Sequence, residues 1–190
     1  GRGGKRARGA AAVLRSGDRT VDAECRGTVL LARRRRAVAG QGAPLEAPYR
    51  LDAPRTAPDG LASPEAAVQA LDDAAGAVLA QYDSLTVPWG AVHRLAGPEG
   101  SVPVSGGNGM FGIFRVLWFR DGENGRRRAV GGDSYVALTE FTENGPRAKA
   151  VLPYGNASQP GSPHRGDQLR LYADQKLRPV WLSRDSVQAP

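Results

Sequence analysis

Residues 110–120 read MFGIFRVLWFR, an almost unbroken apolar run with one internal arginine. A strand with one wet face alternates apolar and polar residues, whereas a continuous run is expected of a strand covered on both faces. That need for cover above and below constrains the fold more than any other feature. Helical cover is scarce. "SPEAAVQALDDAAGAVLAQY", residues 63–82, is the clearest helix: Ser63 is placed to cap it, Pro64 suits the first helical position and Glu65 suits the positive dipole end. Val68, Leu71, Ala75, Val78 and Tyr82 give it one apolar face. A second helix is predicted from Val21 to Ala39, stopped by Gly40 and weakened at Gly27, with Arg33 to Arg36 near its negative end. Residues 1–12 carry no periodicity and are expected to fray as a basic tail.

The remainder reads as strands and turns. Residues 41–62 hold four prolines and predict an extended connection over a surface. "VPWGAVHRL" is a short strand candidate before Gly97, Pro98 and Gly100. "DGENG" is a turn, and residues 134–152 predict a hairpin about Asn144-Gly145. "HRGDQLRLYADQK" is a short helix candidate and "RPVWL" a last strand. Helices first and antiparallel strands afterwards make an α+β class. The organisation is a tail over 1–12, a helical segment with a Pro-rich connection over 13–88, and a strand-rich segment over 89–190. Two helices are too few for the apolar strands, so the missing cover is expected from sequence that these 190 residues do not contain.

Charge and composition narrow the functions. The formal net charge of +7 invites a nucleic-acid reading. The basic residues instead form separate clusters at Lys5/Arg6/Arg8, Arg33–Arg36 and Arg126–Arg128, without the aromatic-basic motifs of single-strand binders. Nucleic acid is therefore not the expected partner. Cys25 is the sole cysteine, which excludes an internal disulfide and any multi-cysteine metal site. No apolar run approaches the roughly 20 residues that a membrane-spanning helix needs, so no membrane is expected as partner.

Catalytic patterns are sparse. The histidines are His93 and His164, neither at ligand spacing from a partner, so no metal site is read. "SGGNGMFG" has glycines but lacks the lysine of a phosphate loop; Gly106 and Gly107 predict a close backbone approach instead. Ser134 or Ser162 with His164 and Asp167 would compose a triad, but Ser162 precedes Pro163 in a turn rather than sitting on a nucleophile elbow. By physics alone, residues 154–173 predict a self-bonded structural turn. Gly155, Pro160, Gly161 and Pro163 wind the path, Asn156, Ser158 and Ser162 satisfy its backbone, and Leu169, Leu171 and Tyr172 face inward.

"YGNASQPGSPHRGDQLRLYADQKLRPV", residues 154–180, resembles the closing segment of the penicillin acylase family, particularly the branch acting on acyl-homoserine lactones and lipopeptides. The family's serine-proline-histidine step and Asp-Gln pair fall at Ser162, Pro163, His164, Asp167 and Gln168. "GGDSYVALTEFTENGPRAKAVLPYG" resembles the preceding strand pair. "VPWGAVHRLAGPEGSVPVSGGNG" resembles the segment that places Trp89, Gly90, His93, Gly106 and Gly107 as pocket wall or scaffold. "SGDRTVDAECRGTVLLA" resembles a helical stretch of the family more loosely, with Ser16 or Gly17 where a tryptophan stands and Cys25 where a serine stands.

The resemblance implies an N-terminal nucleophile hydrolase with an αββα sandwich. Its exposed amino-terminal serine attacks an amide, the α-amine acts as base, and a backbone amide with an asparagine holds the oxyanion. The chain opens at Gly1, and the family's nucleophile, oxyanion asparagine and calcium ligands align upstream of these residues. It implies no catalytic residue, metal ligand or cofactor here, and a role as carboxyl-terminal part of the large chain. The expected partners are the remaining acylase segments and an N-acyl small molecule, in a secreted or periplasmic setting. Two other classes stand beside it: a non-catalytic binding module that kept the sheet, and a basic nucleic-acid binder.

Overall fold

The computed structural model describes residues 2–18, 20–38, 45–109 and 113–188. Two compact units are present: Gly1–Thr20 with Glu24–Trp89, and Val21–Ala23 with Gly90–Pro190.

The first unit is helical. Helices α1 (Arg2–Ser16) and α2 (Thr28–Val38) both pack on α3 (Pro64–Tyr82). Ser63 caps α3 as expected, its hydroxyl accepting the Ala66 amide at 3.3 Å, and Asp83 ends the helix in the left-handed conformation. The buried face of α3 is made of Ala70, Ala74, Ala75 and Val78, while Val68 is exposed. Small side chains let helices approach closely, so alanines rather than the larger residues form the contact.

Residues 2–16 correct the expectation of a frayed tail. Three glycines make α1 a poor helix by propensity, but Ala7 and Ala10 are buried in it. Arg6 reaches the largely buried Asp72 of α3 at 2.5 Å, and the Ala7 amide donates to the other oxygen of that carboxylate at 3.2 Å. Tertiary contacts override propensity here. Helix α2 starts seven residues later than expected, because Gly27 takes φ +96°, outside helical backbone; a Cβ there would stand 3.0 Å from Val13. Residues before it run extended: Arg26 bridges to Pro88, and the Trp89 amide donates to Cys25. The expected end of that helix at Ala39 and Gly40 lies outside the described residues.

The second unit holds the strands. Helix α4 (Trp89–Val92) is one turn where a strand was expected to begin. It leads into β1 (His93–Gly97), β2 (Gly100–Pro103), β3 (Leu117–Asp121) and β4 (Arg127–Gly132). These form a sheet in the order β2-β1-β4-β3, in which β1 pairs antiparallel with β2 and parallel with β4. A second sheet contains β5 (Val136–Thr142), β6 (Gly145–Val151) and β7 (Arg178–Val180) in that order, all antiparallel. The β5–β6 hairpin turns at Glu143-Asn144, with Gly145 at φ +98°. Helices α5 (Leu169–Ala173) and α6 (Arg184–Gln188) flank β7. The class is α+β, with mainly antiparallel sheets.

One core unites the unit. Leu95, Val102, Val104, Leu117, Val151 and Tyr172 are buried together. The apolar run 110–120 departs from expectation: Met110 to Gly112 lie outside the described residues, and strand geometry begins only at Leu117. Phe114 is 96% exposed and Trp118 57%. Leu138, Phe141, Trp181 and Leu182 on or beside the second sheet are exposed as well.

Candidate functional site

The closing turn brings together the residues singled out from its motif. Leaving β6, the chain is held by Gln168, which is buried and whose Oε1 accepts the Leu152 amide at 3.0 Å. The Gln168 amide donates to the Tyr154 carbonyl at 2.7 Å, and the Ala157 amide to the His164 carbonyl at 3.2 Å. Pro163–Arg165 form one 3-10 turn, with Ser162 as its cap: the Ser162 hydroxyl accepts the His164 amide at 3.2 Å. Gly155 is required by packing, since a Cβ there would stand 2.0 Å from the His164 carbonyl oxygen and 2.5 Å from Asp167 Oδ1.

This geometry can be tested against a triad. His164 Nδ1 lies 3.0 Å from Asp167 Oδ2, the arrangement of an oriented imidazole, but the His164 side chain is exposed. Ser162 gives its oxygen to a backbone N–H, and Ser134 is exposed ahead of β5. A serine activated by a base needs its hydroxyl directed at the imidazole in a sheltered site. The turn presents a surface His-Asp pair, and Gln168 beneath it is the buried member.

Behind the turn, α5 drives Tyr172 into the core, where burial first pushes its phenol pKa up and Arg115 pulls it back. The Arg115 guanidinium lies 3.8 Å from the centre of the Tyr172 ring and donates to the Tyr172 carbonyl. The Tyr172 hydroxyl donates to the Asp133 carbonyl at 3.3 Å, and Asp133 in turn accepts the Val116 amide at 2.9 Å. Tyr172 was expected to face inward, but its partners Arg115 and Asp133 were not singled out from sequence. The three are separated by up to 57 residues, and no local pattern links them.

The residues read as pocket wall or scaffold serve backbone crossings. Gly90 donates to Ala23 at 2.7 Å, and a Cβ on it would meet Pro103 at 2.7 Å. Gly106, at φ +105°, donates to Val21 and would meet the Arg115 carbonyl at 2.7 Å. Gly107 accepts the Leu117 amide at 2.8 Å. His93 is buried, edge-on to Phe119 with ring centres 4.6 Å apart. Trp89 is buried in the first unit. An open groove of about 720 Å³ lies elsewhere, between the β1–β2 turn and the closing turn, with Arg128, Tyr154, Asn156 and Arg165 on its walls. Another, of about 930 Å³, runs over the β5–β6–β7 sheet. Among the described residues no three His, Cys, Asp or Glu side chains gather as a metal ion would require. No helix among them is long and apolar enough to cross a membrane.

The family model for penicillin amidase matches residues 5–189. The chain belongs to the penicillin amidase family. Over 101 residues it is 31% identical to the acyl-homoserine lactone acylase PvdQ of Pseudomonas putida. The matched stretch is 53% of this chain and 13% of that relative. The PvdQ of Pseudomonas savastanoi pv. phaseolicola matches at 27% over an equal length and equal shares. Aculeacin-A acylase of Actinoplanes utahensis is 33% identical over 86 residues, 44% of this chain and 11% of that protein. These stretches are a small part of the relatives' length.

Proposed function

We propose that this chain is the closing scaffold of an N-acyl amide hydrolase, the carboxyl-terminal part of the large chain of a penicillin amidase-type enzyme. The nucleophile, its base and the oxyanion donors belong to polypeptide beyond these 190 residues. The substrate class is an acyl-homoserine lactone, a lipopeptide or a β-lactam with an amide-linked side chain, and the enzyme works outside the cytoplasm. One observation carries the reading: the family match runs over residues 5–189, while a relative named for acylase activity is matched over only 13% of its length.

The geometry supports a scaffold role. The Ser162 hydroxyl and Gln168 amide are engaged in holding the closing turn, Gly155 leaves room for the His164 carbonyl, and Tyr172 and Leu169 anchor the turn to the core. Exposed apolar residues on both sheets, Trp118 and Phe141 among them, fit strands that lie between further layers of protein, as in an αββα sandwich.

The test is hydrolysis of a chromogenic N-acyl amide. The purified 190-residue protein should be inert, and co-expression with the polypeptide encoded directly upstream should yield turnover. Turnover by the isolated chain overturns the placement of the nucleophile, and an inert assembled pair overturns the hydrolase reading.

A further inference from the structure

The outward face of the four-stranded sheet carries a row of like charges. Arg94 of β1 is paired with Arg128 of β4, and Arg128 with Arg120 of β3. Paired residues on neighbouring strands share a face, so the three arginines leave the sheet side by side, their Cβ atoms about 5 Å apart. The opposite face holds His93, Leu95 and Ala129, all buried. Arg126 and Arg170 add to the field: after burial, they are the causes that hold the Arg94 pKa below its ordinary value.

Among the described residues, none of Arg94, Arg120, Arg126 and Arg128 meets a carboxylate. Arg94 donates to the Ser101 carbonyl at 2.6 Å, the Gly90 carbonyl at 3.2 Å and the Ser101 hydroxyl at 3.3 Å. The contrast with Arg127 is informative. It sits one residue from Arg128, faces the other way, and pairs with Asp121 at 3.0 Å. Like charges set directly opposite one another on a sheet are destabilising unless countered.

Beside the basic row the same face turns apolar. Trp118 and Val130 are 57% and 45% exposed, two residues along their strands from Arg120 and Arg128. The Trp118 ring lies against Gly131, where a Cβ would come within 2.9 Å of it. Trp118 pairs with Gly131 and Val130 falls at the register shift between them and the arginines, so an apolar patch lies about 7 Å along the strands from the basic row. A helix laid along them presents residues three and four apart at about 5–6 Å, matching the spacing of the arginines. A polyphosphate chain would use the basic row and leave the apolar one in water.

We propose that this face is the docking surface for an amphipathic helical segment of the remaining acylase polypeptide. Its carboxylates would stand over Arg94, Arg128 and Arg120, with apolar side chains over Trp118 and Val130. The inference rests on the placement of the chain within a larger acylase and adds which face is covered and by what chemistry.

The probe is a labelled synthetic helix of about 15 residues, long enough to be marginally helical alone, with a glutamate stripe beside a leucine stripe. Titrated with the 190-residue protein, it should bind saturably. Arg120→Glu/Arg128→Glu should weaken it about tenfold, as two partly exposed ion pairs of ordinary strength supply. A peptide with lysines for the glutamates should recover binding to that variant, an exchange that damage to the fold cannot produce. The proposal is overturned if a scrambled peptide of equal charge binds as well, if the double variant is unaffected, if no peptide binds, or if oligothymidylate or anionic vesicles bind more tightly. Peptide binding reads association and amide hydrolysis reads turnover, so failure of one is distinguishable from failure of the other.

Discussion

Replacing Gln168 by leucine removes one hydrogen bond from the closing turn and little else. The side chain is 3% exposed, and its Oε1 is the acceptor for the Leu152 amide. The backbone bonds of Gln168, to Tyr154 at 2.7 Å and from Tyr172 at 2.9 Å, do not depend on the side chain. Leucine nearly conserves the volume, so the cost is the desolvation of an amide left without an acceptor, about 1–3 kcal/mol. For a chain of this size that lowers the melting temperature by about 2–12 °C. Exchange of the Leu152 amide, read by mass spectrometry on a peptide spanning β6 and the turn, should quicken by about five- to 150-fold. Thermal melting followed by circular dichroism supplies the global value. An unchanged melt together with unchanged exchange at Leu152 would refute the view that Gln168 holds the turn through its side chain.

Gly155→Ala forces a methyl against the His164 carbonyl and Asp167, at 2.0 and 2.5 Å, and should cost about 1–3 kcal/mol or more in urea denaturation. The hydrogen bond from Arg6 holds the Asp72 carboxyl below its ordinary range. Its contribution is therefore present at neutral pH and lost as pH falls below about 4 towards the depressed value. Denaturation between pH 7 and 3 should show that loss in the parent protein and a flatter acid limb in Asp72→Asn. Phe141, 86% exposed on β5, should promote self-association, so Phe141→Lys should lower concentration-dependent light scattering without shifting the melt.

Legibility differed between elements for physical reasons. Helix α3 could be read because its cap, first-turn proline and period are local. The β5–β6 hairpin could be read because a local Asn-Gly signal marks the reversal, although the turn pair is Glu143-Asn144, one residue earlier than expected, with Gly145 opening β6 at φ +98°. Strand β4 was not read from sequence because Arg126–Arg128 stand there as a basic cluster, although Arg128 faces outward while Ala129 is buried. In the closing turn the motif residues were found from sequence, and of the three short polar side chains expected to satisfy its backbone, Ser162 does so through the His164 amide. The burial of Gln168 and the stacking of Arg115 on Tyr172 were not.

By itself the amino-acid order determined the α+β class, the family, the capped helix and the hairpin, because each is written in residues within a few positions of one another or in an extended motif. Only the tertiary structure decided that residues 2–16 are helical, since their stability comes from Asp72, more than sixty residues away. It alone also placed three arginines from three strands side by side, because cross-strand register is settled by packing between segments and not by any one of them.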